Sequence, residues 1–162
     1  MRTLFSKHNS QKGQSLTEMA ISMVILLILV AGIFDVGRAI FTYMSMRDAA
    51  QEGASYAAII FMSEKDNETR TETQLRNDGC AAVLARTMEN VEDPNTAVEI
   101  LINGISCGSA SIQHDACAGH EARVTVELPI PVTTPFIGAF IGSQTITLRA
   151  TATDTILRPY CK

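Results

Sequence analysis

The chain has 162 residues, 46% of them apolar, and a formal net charge of −4. This length is close to that of one ordinary domain, and the apolar share is enough for a packed core. A weakly acidic chain without a basic stripe argues against binding to nucleic acid.

The N-terminus combines a basic leader with an apolar run. The first thirteen residues contain Arg2, Lys7 and Lys12 and no acidic residue, and Met19–Phe34 is a run of sixteen residues without a charge. A membrane-spanning helix needs about 20 apolar residues, so this run is slightly short unless it extends back over Glu18. Basic residues before a span favour the cytoplasmic side. We therefore predict a single-pass membrane helix with the rest of the chain outside the cytoplasm.

The helical pattern continues beyond the apolar run. No proline occurs between Asp35 and Phe61, and apolar residues recur there at helical spacing. Asp35 and Arg38 are spaced i, i+3, so they can pair on the helix surface, and we expect them to mark the outer membrane boundary. The predicted divisions are a leader at 1–13, a long helix at 14–61 and an extracytoplasmic domain at 62–162.

A stripe of small residues lies in the second half of this helix. Small side chains let another element approach closely. We expect the stripe to pack within the chain, and a contact with another subunit is the alternative. Its members are Ala49, Ala50, Gly53, Ala54, Ala57 and Ala58.

The remainder of the chain predicts one more helix and about four strands. A second helix is expected at 74–91, and from Val98 to Ile102 the apolar period changes to two. Asn103-Gly104 then predicts a hairpin with a type I′ turn, which places Cys107 opposite Ile100. Two further strands are expected around 124–128 and 146–152. The predicted fold class is α+β, with a long N-terminal helix packed on a small antiparallel sheet.

An apolar stretch separates the last two predicted strands. Residues 136–141 read Phe-Ile-Gly-Ala-Phe-Ile, which is too short to cross a membrane. We expect a turn of helix packed into the core. The alternative is a patch that touches the membrane or a partner.

All four cysteines follow the apolar run, on the side predicted to be exported. They are Cys80, Cys107, Cys117 and Cys161, and an even number outside the cytoplasm predicts two disulfides. Three connectivities are possible. We favour Cys107–Cys117, which would close the loop after the hairpin, and this leaves Cys80–Cys161.

Zinc is the competing interpretation of the same region. Cys107, His114, Cys117 and His120 lie within fourteen residues, and both residue types bind zinc. Their spacing matches no familiar zinc motif, and exported cysteines more often form disulfides. We therefore predict no metal and no cofactor. No nucleophile–base motif, phosphate loop or dinucleotide fingerprint is present, so an enzyme is not expected.

The junction between leader and apolar run carries the functional signal. It reads Gly-Gln-Ser-Leu-Thr-Glu from Gly13 to Glu18. A carboxylate at the edge of an apolar helix is costly in a membrane unless it is paired. One interpretation is that Glu18 pairs with a neighbouring subunit. The other is that Ser15 and Glu18 form a capping box at the start of the helix.

This junction resembles the processing and assembly signal of type IV pilin-like proteins. The resemblance implies that a prepilin peptidase cleaves between Gly13 and Gln14, so that Glu18 becomes the fifth residue of the mature chain. The new amine at Gln14 can then pair with Glu18 of a neighbouring subunit.

Three segments resemble the TadE-like proteins of tight-adherence (Flp) pilus systems. They are Gly13–Glu18, the Asp-Val-Gly-Arg sequence at 35–38 and Ala-Ala-Gln-Glu-Gly-Ala-Ser-Tyr-Ala at 49–57. The C-terminal run 128–154 also resembles theirs, whereas 62–120 does so poorly. Met19 stands where an aromatic residue is common in the family, and Asp35 stands where glutamate is usual.

The TadE-like resemblance implies a minor pilin or pseudopilin with roles in pilus biogenesis and surface attachment. The expected partners are other pilin or pseudopilin subunits, the prepilin peptidase, the pilus assembly machinery and the lipid bilayer. The expected location is the bacterial inner membrane, then the pilus or cell surface after assembly. Alternatives are a fixed envelope component with one span, or a secreted domain whose signal peptide is cleaved near Ala31.

Overall fold

The computed structural model describes residues 11–60, 72–91, 93–107, 109, 119–134, 138–139 and 141–157. The first helix, α1, runs from Gln11 to Ile60 without interruption. It contains no proline, and it passes through the apolar run and the small-residue stripe. The long helix predicted from the sequence is confirmed, with its start a few residues earlier than expected.

The second helix, α2, runs from Glu72 to Met88. Its buried face is made of small or branched residues at helical spacing, because Gly79, Val83 and Thr87 are all buried. Leu84 of the same helix is 42% exposed. The second helix predicted from the sequence is confirmed.

Four strands form one antiparallel sheet in the order β2-β1-β3-β4. They are β1 at Ala97–Ile102, β2 at Ile105–Ser106, β3 at Glu121–Pro131 and β4 at Thr145–Thr155. In β1 and β3 the apolar side chains alternate toward the core, as a half-buried strand requires. The α+β class predicted from the sequence is confirmed.

The β1–β2 hairpin has the turn that its sequence predicts. Asn103 and Gly104 have φ angles of 49° and 78°, which is the positive pair that a type I′ turn needs. The amide of Cys107 donates to the carbonyl of Ile100 at 2.8 Å. Cys107 therefore lies opposite Ile100, as expected.

Contacts divide the described chain into two compact units. One contains α1 up to Arg38 together with Val132–Gln144, the segment that joins β3 to β4. The other contains the rest of α1, α2 and the sheet. We call them the helix–loop unit and the sheet unit. The predicted boundaries at residues 13 and 61 stay a prediction.

The core of the sheet unit is built around the small-residue stripe of α1. All six members of the stripe are buried, and Ala50, Ala54 and Ala57 pack in one core with Val124 and Val126 on the inner face of β3. Among the described residues, Met46, Ile102 and Ile156 are the largest fully buried side chains. Burying small residues lets a helix lie close to a sheet without leaving voids. The expectation that the stripe packs within the chain is confirmed.

A disulfide joins α2 to the end of the β1–β2 hairpin. It connects Cys80 to Cys107, with 5.8 Å between the Cα atoms. The predicted pairing of Cys107 with Cys117 is therefore wrong, and so is that of Cys80 with Cys161. The third turn of α2 lies against β1 and the end of the hairpin, so it brings Cys80 to Cys107 at a sequence separation of 27. Cys117 and Cys161 lie outside the described residues.

Removal of this disulfide should destabilise the sheet unit. Replacing both Cys80 and Cys107 with Ala releases a long loop in the unfolded chain, which costs about 3 to 4 kcal/mol of unfolding free energy. Hydrogen exchange at the β3 amides of the purified full-length protein measures this loss.

Peptide mapping without reduction tests the connectivity directly. Trypsin leaves Cys107 and Cys117 in one peptide, because no Lys or Arg lies between residues 87 and 122. Additional cleavage at Asp115 separates the two cysteines. We expect the Cys80 peptide to remain linked to the one that contains Cys107. A link between Cys80 and the Cys161 peptide would contradict the observed pairing.

Candidate membrane-insertion and assembly site

The N-terminal part of α1 presents apolar side chains on all sides. Of the helices that the structure describes, α1 alone is long and apolar enough to cross a membrane. None of its most apolar 18-residue segment is buried within the chain. Leu29 and Phe34 are 63% and 75% exposed, respectively. In water such a surface would be strongly unfavourable, whereas in a bilayer these side chains meet lipid or another helix.

Glu18 lies at the start of this surface with an exposed side chain. Nearby hydroxyl groups are satisfied inside the helix, since Thr17 Oγ1 donates to the carbonyl of Gln14 at 2.7 Å and Ser22 Oγ to that of Glu18 at 2.9 Å. The Glu18 carboxylate has no hydrogen-bond or ion-pair partner in the part of the chain that the structure describes. It is therefore available to a group from outside the subunit.

The capping-box interpretation of Ser15 and Glu18 is wrong for this chain. A capping box requires Ser15 to be the N-cap residue, just before the first helical turn. In the structure α1 begins at Gln11, so Ser15 lies inside the helix. In the uncleaved chain, Glu18 is consequently not explained by the satisfaction of free amides at a helix start.

The predicted cleavage position also lies within α1. Gly13 and Gln14 are exposed, and a Cβ atom added at Gly13 would meet nothing within 4 Å. Packing within the subunit therefore places no demand for glycine at this position. A demand for a small residue there would come from another molecule.

Asp35 makes a contact that the sequence did not reveal. Its Oδ2 accepts a hydrogen bond from the amide of Thr134 at 2.8 Å and another from the Thr134 hydroxyl, across 99 residues of sequence. The Thr134 side chain is buried. Within the described residues, Asp35 makes no ion pair with Arg38, so the predicted i, i+3 pair is wrong. The Asp35 carboxylate instead accepts hydrogen bonds from the amide and the hydroxyl of Thr134.

Loss of the Asp35 carboxylate should release the loop that contains Thr134. Asp35→Ala removes both acceptor contacts, and hydrogen bonds to charged groups contribute about 1.5 to 3 kcal/mol. We therefore expect exchange at the Thr134 amide to accelerate by at least about tenfold, as measured by hydrogen exchange of the full-length protein in detergent. Asp48→Ala, at an exposed position on the same helix, is the control. Equal exchange rates in the two variants would contradict the contact.

A polar network, also missed from the sequence, links α1 and α2 in the sheet unit. Glu52 forms an ion pair with Arg86 and accepts a hydrogen bond from Asn90. Arg86 also forms an ion pair with Glu89 at 2.5 Å. The Glu89 hydrogen bond and the charge of Glu52 raise the pKa of Arg86. These side chains are partly exposed, so the network orients the two helices rather than adding much stability.

The disulfide removes one of the four residues on which the zinc interpretation depends. Cys107 is bonded to Cys80, so it is not a thiolate that could bind a metal. His120 is half-buried at the start of β3. His114 and Cys117 lie outside the described residues.

Residues 13–55 match the model of the family described as TadE-like protein. The chain carries a TadE-like N-terminal segment. The resemblance recognised in the sequence is thus confirmed over the segment that contains Gly13, Glu18 and Asp35. Neither a curated protein nor a solved structure gives a significant match to the chain.

The TadE-like segment coincides with the membrane-capable part of α1 and with most of the small-residue stripe. The family match covers this N-terminal segment, and the sheet unit beyond residue 55 lies outside it. A TadE-like segment on a helix of this length and composition is consistent with membrane anchoring.

Proposed function

We propose that the chain is a pilin-like structural subunit, a minor pilin or pseudopilin, of a tight-adherence pilus. Its role is assembly and surface attachment rather than catalysis. The observation that carries the proposal is the exposed, unpaired Glu18 carboxylate at the start of a lipid-compatible helix, within the TadE-like segment.

The proposed mechanism begins with cleavage between Gly13 and Gln14 by a prepilin peptidase at the cytoplasmic face of the inner membrane. Hydrolysis of that peptide bond leaves a positively charged amine on Gln14. The exposed position of Gly13 supports this step, since a Cβ atom added there would meet no described atom within 4 Å.

Glu18 then selects the register between subunits. In a low-dielectric bundle of helices, a lone carboxylate is costly and a carboxylate paired with an amine is tolerated. Gln14 and Glu18 are four residues apart, or about 6 Å along a helix. Pairing the amine of one subunit with Glu18 of the next therefore favours helices displaced by about this distance. Unprocessed chains lack the amine and would be poor assembly substrates.

The proposed topology is a single span with the sheet unit outside the cytoplasm, later carried to the pilus or cell surface. The N-terminal leader supplies the positive charge that keeps its end inside. The partners are other pilin or pseudopilin subunits, the assembly machinery and the bilayer.

The test is the mass and N-terminal sequence of the protein recovered from its native cell envelope. We expect the chain to begin at Gln14. A chain that begins at Met1 would favour a fixed envelope protein with one span. A start near Gly32 would overturn the proposal and leave a secreted, disulfide-bonded domain. As a control, Gly13→Leu should block cleavage without disturbing the subunit, because a side chain at Gly13 has open space.

A further inference from the structure

The β3–β4 hairpin has an end without charges. Glu127 and Arg149 face each other across β3 and β4 and form an ion pair at 3.0 Å. Between them, Leu128–Leu148 contains 21 residues and no Asp, Glu, Lys or Arg. The whole chain contains 30 charged residues. A stretch of this length without a charge therefore needs an explanation other than solubility.

The tip of this hairpin exposes apolar side chains. The loop 132–144 is closed by a hydrogen bond from the Val132 amide to the Gln144 carbonyl at 2.8 Å. In it, Ile141 is 53% exposed and Ala139 is also exposed. The expectation that residues 136–141 pack in the core is therefore wrong for these two positions. Phe136, Ile137 and Phe140 lie outside the described residues.

Hydrogen bonds within the helix–loop unit fix the position of this loop along the axis of α1. Thr134 is bonded to Asp35, the residue directly after the apolar run Met19–Phe34. That run covers about 24 Å as a helix, which is shorter than a hydrocarbon layer of about 30 Å. When α1 spans a bilayer, Asp35 therefore lies at the edge of the hydrocarbon. The loop bonded to it lies at the same edge.

We propose that Ala139 and Ile141, in the segment between β3 and β4, dock on the bilayer that holds α1 and enter the boundary between headgroups and acyl chains. Lipid fits this surface because Thr134 of the loop is hydrogen-bonded to Asp35 at the end of the apolar run, and because residues 132–144 contain no charged side chain. Ser143 and Gln144 are exposed beside Ile141, and they suit the headgroup layer. The inference rests on the membrane insertion of α1 in the proposed function. It adds a second contact with the membrane, separate from the span.

The chain contains no tryptophan, so a single introduced Trp reports its own surroundings. The experiment places Ile141→Trp, full length, in phosphatidylcholine vesicles whose acyl chains carry bromine either near the headgroup or near the chain end. We expect a blue shift and a loss of Trp emission that is larger with bromine near the headgroup. Leu29→Trp, in the apolar run, is the control for insertion, and Leu157→Trp, exposed in the sheet unit, is the control for water.

The outcomes separate the two proposals. Strong quenching of Leu29→Trp together with Ile141→Trp emission no more quenched than that of Leu157→Trp would overturn the docking proposal and leave the membrane span intact. A blue shift of Ile141→Trp that is unquenched and varies with the protein-to-lipid ratio would also overturn it, in favour of a second copy of the chain. An unquenched Leu29→Trp would mean that α1 is not inserted, and both proposals would fail.

Discussion

Replacement of Glu18 with Gln should reduce incorporation of the chain into sheared pili by at least about a hundredfold, because it leaves the amine of a neighbouring subunit buried without its partner. The carboxylate is exposed in the single subunit. The fold of the sheet unit should therefore be unchanged. Immunoblots of the pilus and membrane fractions measure the effect, with hydrogen exchange at β3 as the check on folding.

Two further variants sharpen this test. Ser22→Ala lies one turn along the same helix and removes only a hydroxyl that bonds within α1, so it should assemble normally. Glu18→Asp retains the charge on a shorter side chain and should recover part of the assembly. If Glu18→Gln entered pili as efficiently as the unmodified chain, charge pairing at this position would not drive assembly.

A second large effect is expected at Gly53, where α1, α2 and β3 meet. A Cβ atom at Gly53 would overlap the Thr87 hydroxyl and lie 3.3 Å from Thr87 Cβ and 3.4 Å from Val124 Cγ1. The Thr87 hydroxyl donates to the carbonyl of Val83 at 2.8 Å, so it cannot turn away without breaking that bond. Gly53→Ala should therefore lower the unfolding free energy of the sheet unit by about 1 to 3 kcal/mol.

Gly37 provides a matched control for this substitution. It lies in the same helix, and a Cβ atom there would meet nothing within 4 Å. Both substitutions gain the helix propensity of alanine, worth about 1 kcal/mol. Only Gly53→Ala also introduces an overlap, between its Cβ atom and the Thr87 hydroxyl. Hydrogen exchange at the β3 amides measures both variants, and an undiminished protection in Gly53→Ala would show that α2 can move aside.

Gly37 carries a separate expectation for the assembled state. Glycine weakens a helix by about 1 kcal/mol relative to alanine. We expect α1 to bend or unwind near Gly32 and Gly37 when subunits assemble, whereas it is continuous there in the single subunit. A straight helix through Gly37 in a filament structure would contradict this expectation.

The secondary structure could be predicted because its signals are local. The absence of proline and the apolar run predicted α1, and Asn103-Gly104 predicted the hairpin and its register as far as Cys107. The small-residue stripe predicted close packing, since small side chains on one helix face let another element approach closely. Gly13 and Glu18 were singled out by their position between basic leader and apolar run.

The contacts that could not be predicted from the sequence are those between elements far apart in the chain. Nothing near Cys80 in the sequence indicates that α2 lies against the β1–β2 hairpin, so nearness in sequence favoured the wrong cysteine pairing. Asp35 had an apparent partner one turn away in Arg38, whereas its true donors come from a loop 99 residues later. The uncharged stretch between Glu127 and Arg149 was a visible signal for that loop. Its meaning depended on knowing where Thr134 binds.

The burial of the α1 stripe has a mechanical consequence. The same helix supplies the membrane-capable surface and, from Met46 to Ala58, the residues at the centre of the sheet unit's core. If the chain is a pilin-like subunit, as proposed, tension applied along α1 would load those contacts in shear. All of them must then yield together, whereas a domain joined by a flexible linker would be peeled away contact by contact.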